Sequence, residues 1–284
     1  MLDTTNCKAV SPECPVAATT YGYTPNLGAN AFFAAVFGLC CILNLVIGIK
    51  SRQVMFTIAL TVGSLLELIG YIGRIQMHNN PWDMGGFQMQ IVCLILAPSF
   101  VAAGIYWSLK HIVLFVGPEK SRLPPRLYPW IFVGCDVGSI ILQAAGGGVA
   151  GSAKRTNKAL LDAGNNIMIS GIAFQVATMG VCGVLGMDFV FRVRKGRQFQ
   201  EVQAEKLEES EVRKFYFFCV GEIIAYLTVL IRCIYRLPEM AGGWGNPLMQ
   251  KETEFLILDG AMITIAVVIL TILHPYFTCP FVRK

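Results

Sequence analysis

Residues 53–74 read QVMFTIALTVGSLLELIGYIGR, a predominantly apolar stretch that is interrupted by one carboxylate, Glu67. A helix of about 20 apolar residues spans the hydrocarbon core of a bilayer. A charged side chain at that depth costs about 3 kcal/mol or more unless it is paired or solvated. The stretch therefore predicts a transmembrane helix in which Glu67 faces other protein groups rather than lipid.

The rest of the chain has the same apolar character. Its 284 residues are 55% hydrophobic and only 14% charged, whereas a soluble domain carries roughly a quarter charged residues. We predict an all-α integral membrane protein in which a transmembrane domain, 30–274, lies between an N-terminal tail, 1–29, and a C-terminal tail, 275–284. The seven predicted helices are at about 30–49, 53–73, 87–109, 129–150, 165–190, 215–235 and 255–274.

Lysine and arginine residues are distributed unevenly between the two ends of these helices. Fifteen of the 23 fall on one side, seven fall on the other, and Arg232 lies within the sixth predicted helix. Cytosolic loops carry the excess of Lys and Arg, so we predict an extracellular N terminus and a cytosolic C terminus. The start MLDTTNC has no basic region followed by an apolar core, so we expect no cleavable signal peptide. The net charge of +5 follows from the cytosolic excess and requires no nucleic-acid partner.

Two of the ten cysteines, Cys7 and Cys14, lie in the predicted extracellular tail. The other eight lie in or at the ends of the predicted helices, where they are best explained as small apolar residues. Because extracellular segments meet an oxidising environment, a Cys7–Cys14 disulfide is one alternative and two free thiols are the other.

The polar residues inside the predicted helices form two layers, of which the first lies in the outer half of the membrane. Glu67, Tyr71 and Arg74 are spaced i, i+4 and i+7, so they share one face of the second helix. Arg232 and Asp259 lie at a similar depth on the sixth and seventh helices. Two acids and two bases can pair with each other, so we predict an ion-pair network that either locks the bundle or forms an outer gate.

The inner layer contains two acids, Asp136 and Glu222, and no basic residue within the membrane. Such acids are protonated, hydrated, or paired with a cation that a ligand supplies. We therefore predict that they bind a cationic substrate. For the glutamines near them, hydrogen bonding between helices is the alternative role. The other polar residues predicted to line this path are Gln90, Tyr106, Gln143, Gln175 and Tyr226.

Other chemistries have weaker support in the sequence. It contains no G-x-x-x-x-G-K-[ST] motif, so it has no P-loop with which to drive transport by ATP. A zinc hydrolase needs about three protein ligands, for which His111, His274 and a carboxylate such as Asp188 are the available residues. We expect no metal, no cofactor and no enzymatic activity. The loop 191–214 has alternating charges, so it is either a solvated linker or a docking site for a cytosolic protein partner.

Several blocks of the sequence resemble one family of fungal membrane proteins. They include ELIGYIGR at 67–74, QIVCLILAPSFVAAGIYWSL at 90–109, SRLPPRLYPWIFVGCDVGSIILQAAGGG at 121–148 and RCIYRLPEM at 232–240. Together they resemble the lipid-translocating exporter family, which is named after resistance to aminocholesterol and includes the sphingoid long-chain-base resistance protein. The resemblance extends from about Tyr21 to Pro275.

This resemblance implies a seven-helix protein of the fungal plasma membrane that moves amphiphilic lipids and confers resistance to toxic ones. We expect a transporter of sphingoid long-chain bases or related cationic amphiphiles, with the ammonium head at Asp136 and Glu222. A receptor or sensor of lipid asymmetry that signals through 191–214 is the alternative. Porphyrin or haem transport and zinc-dependent lipid hydrolysis are lesser alternatives. The expected partners are membrane lipids and the substrate, and no oligomeric state is predicted.

Overall fold

The computed structural model describes residues 7–51, 53–152, 158–195, 209–243 and 245–278. These residues form long helices and no β-strand, and seven of the helices are long and apolar enough to span a bilayer. The predicted all-α, seven-helix membrane fold is therefore confirmed. The helices are α1 (Leu27–Lys50), α2 (Val54–Asn79), α3 (Met84–Val116), α4 (Leu127–Ser152), α5 (Lys158–Lys195), α6 (Glu209–Ala241) and α7 (Glu252–Ile272), followed by a short α8 (Pro275–Thr278).

Several helices extend beyond the apolar stretches that predict them. The helix α3 has 33 residues and begins directly after Asp83, whose side chain accepts a hydrogen bond from the Gly85 amide at 3.0 Å. Such a cap satisfies one of the free amides at a helix N terminus. The helix α6 also has 33 residues and continues through Pro238. Because of this extension, Arg236 and Glu239 lie on a helix rather than in a loop.

Glycines allow two pairs of helices to approach closely. The helix α2 packs along α3, and α4 packs along α5. A Cβ atom at Gly73 would lie 2.7 Å from the carbonyl oxygen of Gly86, and a Cβ atom at Gly164 would lie 2.5 Å from the amide nitrogen of Ala150. Only glycine fits at such distances, and small residues at helix crossings are typical of membrane bundles.

The outward faces of the helices are apolar, as a lipid-facing surface requires. Large exposed side chains on these faces include Ile42 on α1, Ile141 on α4 and Val184 on α5. Buried apolar residues of all seven spanning helices form the main core. Within this core, Phe37 stacks on Tyr71 with the two ring centroids 5.6 Å apart.

The N-terminal tail folds across one end of the bundle, which we call the tail end. Cys7 and Cys14 form a disulfide in the structure. The Cys14 carbonyl accepts a hydrogen bond from the Trp82 indole at 3.2 Å, and the Pro25 carbonyl accepts one from His78 Nδ1 at 2.7 Å. Residues 1–6, the central part of the loop 191–214 and the last six residues of the C-terminal tail lie outside the described residues.

Candidate functional site

Towards the tail end, two arginines of α6 share one aspartate of α7. The Nε atoms of Arg232 and Arg236 lie 3.0 and 2.9 Å from Oδ1 of Asp259. The two arginines are four residues apart and therefore face the same side of α6. Arg236 also donates to Glu239 from Nη1 at 2.8 Å. These side chains are at most 7% exposed, so the group is a buried ion-pair cluster.

A local irregularity of α7 positions Asp259 in this cluster. Residues Leu256–Ala261 form a π-helical turn, and Asp259 lies within it. The adjacent Gly260 packs directly against α1 and α2, because a Cβ atom there would lie 2.8 Å from the Tyr71 hydroxyl. Turns of this kind occur frequently at functional sites in α-helices.

A second irregularity, at Pro98 in α3, supplies another partner for Arg232. Proline has no amide hydrogen, so the carbonyl four residues earlier lacks its helical donor. That carbonyl belongs to Leu94, and it accepts a hydrogen bond from Arg232 Nη2. The same Nη2 atom lies 3.7 Å from Oε1 of Glu67. The partner of Glu67 in the structure is thus Arg232, one of the two arginines that the sequence suggested.

Arg74, the other suggested partner, lies in a separate group that includes the N-terminal tail. Gln90 belongs to this group rather than to an inner path, and it also donates to the Tyr21 hydroxyl. Burial raises the pKa of Tyr23 above its usual range, so this phenol keeps its proton. The guanidinium of Arg74 contacts Asn30 at 2.9 Å, Gln90 at 3.1 Å, Tyr23 at 3.1 Å and Glu252 at 3.5 Å.

Nearer the middle of the bundle, polar side chains connect three helices. Gln143 of α4 donates to Gln175 of α5 at 3.1 Å, and Gln175 donates to the Ser99 hydroxyl of α3 at 2.8 Å. Asp136 lies seven residues before Gln143, so both occupy one face of α4. The predicted path residues Asp136, Gln143 and Gln175 therefore face one inter-helix region.

Asp136 is buried, with 2% of its surface exposed. Its carboxyl group faces the Tyr106 hydroxyl, and the thiols of Cys182 and Cys233 are within electrostatic range of it. Neither of its oxygens makes a hydrogen bond of normal geometry with the part of the chain that the structure describes. Tyr226, also predicted on this path, donates to the Met179 carbonyl at 2.5 Å. Asp136 is thus a buried acid whose described neighbours carry no positive charge.

The structure places Glu222 apart from Asp136. Its carboxyl group faces the Ser108 hydroxyl, and only 6% of the residue is exposed. Ser108 and Tyr106 are two residues apart on α3, so they face different sides of that helix. The two acids therefore lie against different partners instead of forming one joint site.

A small cleft lies between α3, α4, α5 and α6, with a free volume of about 20 Å³. Residues from both predicted layers line this cleft, namely Gln143 and Gln175 from the inner path and Arg232 from the outer layer. Asp136 lies on the same face of α4 as Gln143, and we call Asp136, the two glutamines and the arginine cluster together the polar strip. The full lining is Ile95, Pro98, Gln143, Ile172, Gln175, Arg232, Cys233 and Arg236.

The residues that a zinc site would need lie with other partners. Asp188 pairs with Arg122 at 2.9 Å and with Arg192 at 2.8 Å. His111 Nδ1 lies 2.8 Å from the Trp107 carbonyl, and the ring of His274 packs edge-on against another side chain of the core. Among the described residues, no three or more His, Cys, Asp and Glu side chains form a group that could hold a metal.

Several residues of the site were not among the site residues predicted from the sequence. Arg236 and Glu239 lie beyond residue 235, at which the sixth helix was predicted to end. The four-residue spacing from Arg232 to Arg236 could have indicated that the helix continues and that both arginines share one face. Tyr21 and Tyr23 belong to a tail without helical periodicity, so no sequence pattern placed them against Arg74.

Comparison with known proteins defines the family. The sequence profile of the RTA1-like proteins matches residues 60–281, which contain the whole polar strip. The chain belongs to the RTA1-like protein family. This confirms the resemblance that the sequence blocks indicated.

Three relatives from Saccharomyces cerevisiae illustrate the similarity. The chain is 35% identical to sphingoid long-chain base transporter RSB1, over 90% of this chain and 73% of that protein. It is 23% identical to protein RTA1, over 90% of this chain and 84% of the relative. It is 25% identical to protein RTM1, over 75% of this chain and 65% of the relative. No solved structure matches the chain.

Proposed function

We propose that this RTA1-like protein transports sphingoid long-chain bases or closely related cationic amphiphiles across the plasma membrane without an ATPase of its own. The identity of 35% to a sphingoid long-chain base transporter, over nine-tenths of the chain, is the observation that carries this proposal. The buried polar strip gives it a physical basis.

Asp136 is the proposed binding site for the ammonium head. A charge in an apolar interior is costly unless it is paired and hydrogen-bonded. The described neighbours of Asp136 are a phenol and two thiols, which supply no positive charge. The ammonium group of a sphingoid base would supply that charge. Glu222 faces Ser108 and lies nearer the N-terminal end of α6. We propose that it contacts the ammonium group before Asp136 does.

The polar strip also suggests how the substrate moves. From Asp136, the residues of α4 lead by helical spacing to Gln143 and the cleft beside Arg232. The head group would follow these polar side chains while its hydrocarbon tail stays in the lipid, so the narrow cleft suffices. The ion pairs of Asp259 with Arg232 and Arg236 close the strip towards the tail end, and we propose that they form the outer gate.

Resistance of fungal cells to an added sphingoid base tests this function. Cells that express Asp136→Asn should become sensitive and should export at least about tenfold less base, which corresponds to a loss of about 1.4 kcal/mol. The matched control is Asp162→Asn, the same change at an exposed position of α5, and it should behave as wild type. Normal export by Asp136→Asn, at equal amounts of protein on the cell surface, would contradict the proposed site.

A further inference from the structure

The cleft between α3, α4, α5 and α6 is more polar than helix packing requires. Two guanidinium groups and two carboxamides line it, and each of these four residues is at most 6% exposed. Apolar side chains would fill a space of this size without cost, whereas buried polar groups are costly when they are not hydrogen-bonded. The lining therefore suits a polar ligand group. The four residues are Gln143, Gln175, Arg232 and Arg236.

The hydrogen bonds within the cleft leave donor capacity for such a group. A carboxamide has two N–H bonds and a guanidinium has five. Gln143 uses one N–H for Gln175, and Gln175 uses one for Ser99. Each carboxamide therefore retains a second N–H for an incoming oxygen atom.

The charges around the cleft decide which oxygen-bearing group fits. The two arginines bring two positive charges, and the contacting acids Asp259, Glu67 and Glu239 bring three negative ones. With all five ionised the group has a net charge of −1, and with Glu67 protonated it is neutral, so in neither state does it carry a net positive charge. A phosphate would add more negative charge to a buried site, and like charges disfavour each other there. A neutral hydroxyl accepts the same hydrogen bonds without that penalty.

The cleft lies within reach of the proposed ammonium site. Asp136 and Gln143 are separated by seven residues on one face of α4, which is about 10 Å along the helix axis. Cys233 lines the cleft, and its thiol is within electrostatic range of the Asp136 carboxyl group. Two side chains that extend towards each other over this distance can bind the ammonium and an adjacent hydroxyl of one small head group.

We propose that the cleft binds a hydroxyl group of the head group, so that the substrate class is long-chain amino alcohols rather than simple alkylamines or phosphorylated bases. This inference rests on the proposed transport function. Gln143 and Gln175 are then specificity-determining residues, while Asp136 binds every amine that the protein accepts.

Two lipids with the same 18-carbon chain test the inference. Sphinganine carries two hydroxyl groups beside its amine, and octadecylamine carries none. With purified protein in liposomes, we expect sphinganine to move at least ten times faster than octadecylamine. Gln175→Leu should abolish this preference, so that sphinganine moves no faster than octadecylamine in that variant. The control Gln76→Leu, at an exposed position of α2, should keep the preference.

The possible outcomes are distinct. Equal rates for the two lipids in the wild type would overturn the inference but not transport, whereas movement of neither lipid would overturn the proposed function and the inference with it. A preference that persists in Gln175→Leu would also overturn the inference. If Gln175→Leu moves neither lipid, the two lipids are compared with Gln143→Leu instead, and a preference for sphinganine that persists in that variant would overturn the inference. Sphinganine 1-phosphate moving as fast as sphinganine would contradict the charge argument.

Discussion

Asp259 is the acid on which the buried ion-pair cluster depends most. One of its oxygen atoms lies within 3.0 Å of the Nε atoms of both Arg232 and Arg236. Among the described residues, Glu67 in contrast forms a single ion pair, with Arg232 at 3.7 Å. Removing one partner of a buried pair leaves an uncompensated charge, which costs about 3–5 kcal/mol. The two acids should therefore differ in their contribution to stability.

We expect Asp259→Asn to lower the free energy of unfolding by about 3 kcal/mol or more, and Glu67→Gln to lower it by less. The control is Glu254→Gln, which removes the exposed pair with Lys251 and should cost about 1 kcal/mol or less. Thermal unfolding in detergent measures all three. A loss for Glu254→Gln as large as that for Asp259→Asn would show that the cluster does not stabilise the bundle.

His274, directly after α7, gives a pH dependence. It accepts a hydrogen bond from the Tyr276 amide at 3.1 Å and packs edge-on against Phe56. Burial lowers its pKa from 6.5 to about 4. The folded protein thus holds it neutral while the unfolded chain takes up a proton below about 6.5. Its contribution to stability is complete above about pH 6.5 and is lost as the pH falls towards 4.

The unfolding temperature should accordingly be lower at pH 5 than at pH 7.5, and His274→Asn should reduce the difference. Calorimetry at the two pH values provides the measurement. An equal difference in wild type and variant would mean that other groups cause the pH dependence.

Residue partners were only partly predictable. The common depth of Glu67, Arg232 and Asp259 follows from their positions in apolar helices, because depth depends on counting residues along each helix. That Glu67 pairs with Arg232 rather than with Arg74 does not follow from depth, because the rotation of neighbouring helices decides which side chains meet. The separation of Asp136 from Glu222 has the same cause.

At the scale of elements, the three glycines 146–148 of α4 are identical in type but differ in surroundings. A Cβ atom at Gly146 would collide with the backbone at Met168 of α5, whereas one at Gly147 would meet no atom within 4 Å. The sequence does not distinguish these positions, because the contact is made by a helix that follows later in the chain.

We expect Gly146→Ala to destabilise the protein by forcing α4 and α5 apart. Gly147→Ala should have no effect or should stabilise it by about 0.5–1 kcal/mol, because alanine favours the helix. The neighbouring substitution is thus a matched control in the same thermal unfolding experiment. Equal unfolding temperatures for the two variants would contradict the close α4–α5 contact.

Two irregular elements produce the geometry of the arginine cluster. Pro98 frees the Leu94 carbonyl for Arg232, and the π-helical turn at Leu256–Ala261 carries Asp259. The proline is visible in the sequence, and a kink at it is expected. The π-helical turn has no comparable signal, because it depends on how α7 packs against α1 and α2.

At the scale of the whole molecule, the number of spanning helices can be predicted from the apolar stretches of the sequence. The way in which the N-terminal tail packs on the bundle cannot be predicted in this way. Seven apolar stretches require seven spanning helices. The tail residues Tyr21 and Tyr23 join Arg74 through contacts more than 50 residues apart in sequence, which no local pattern encodes. The distribution of Lys and Arg further predicts that the tail end is extracellular.

An epitope placed before Met1 should accordingly be accessible to antibody on intact cells, and one placed after Lys284 only after permeabilisation. The physical reason is the cytosolic retention of the Lys- and Arg-rich loops. Immunofluorescence with and without detergent distinguishes the two ends. The reverse pattern would invert the proposed direction of the polar strip.

The most direct test of the central claim uses purified protein in liposomes, a fluorescent sphingosine and no ATP. The measured quantity is the rate at which the lipid changes leaflets, compared between wild type, Asp136→Asn and the exposed control Asp162→Asn. We predict movement by the wild type and the control, and a rate for Asp136→Asn that is close to that of empty liposomes. Rates equal to empty liposomes for all three folded proteins would contradict autonomous transport, and wild-type movement by Asp136→Asn would contradict the ammonium site.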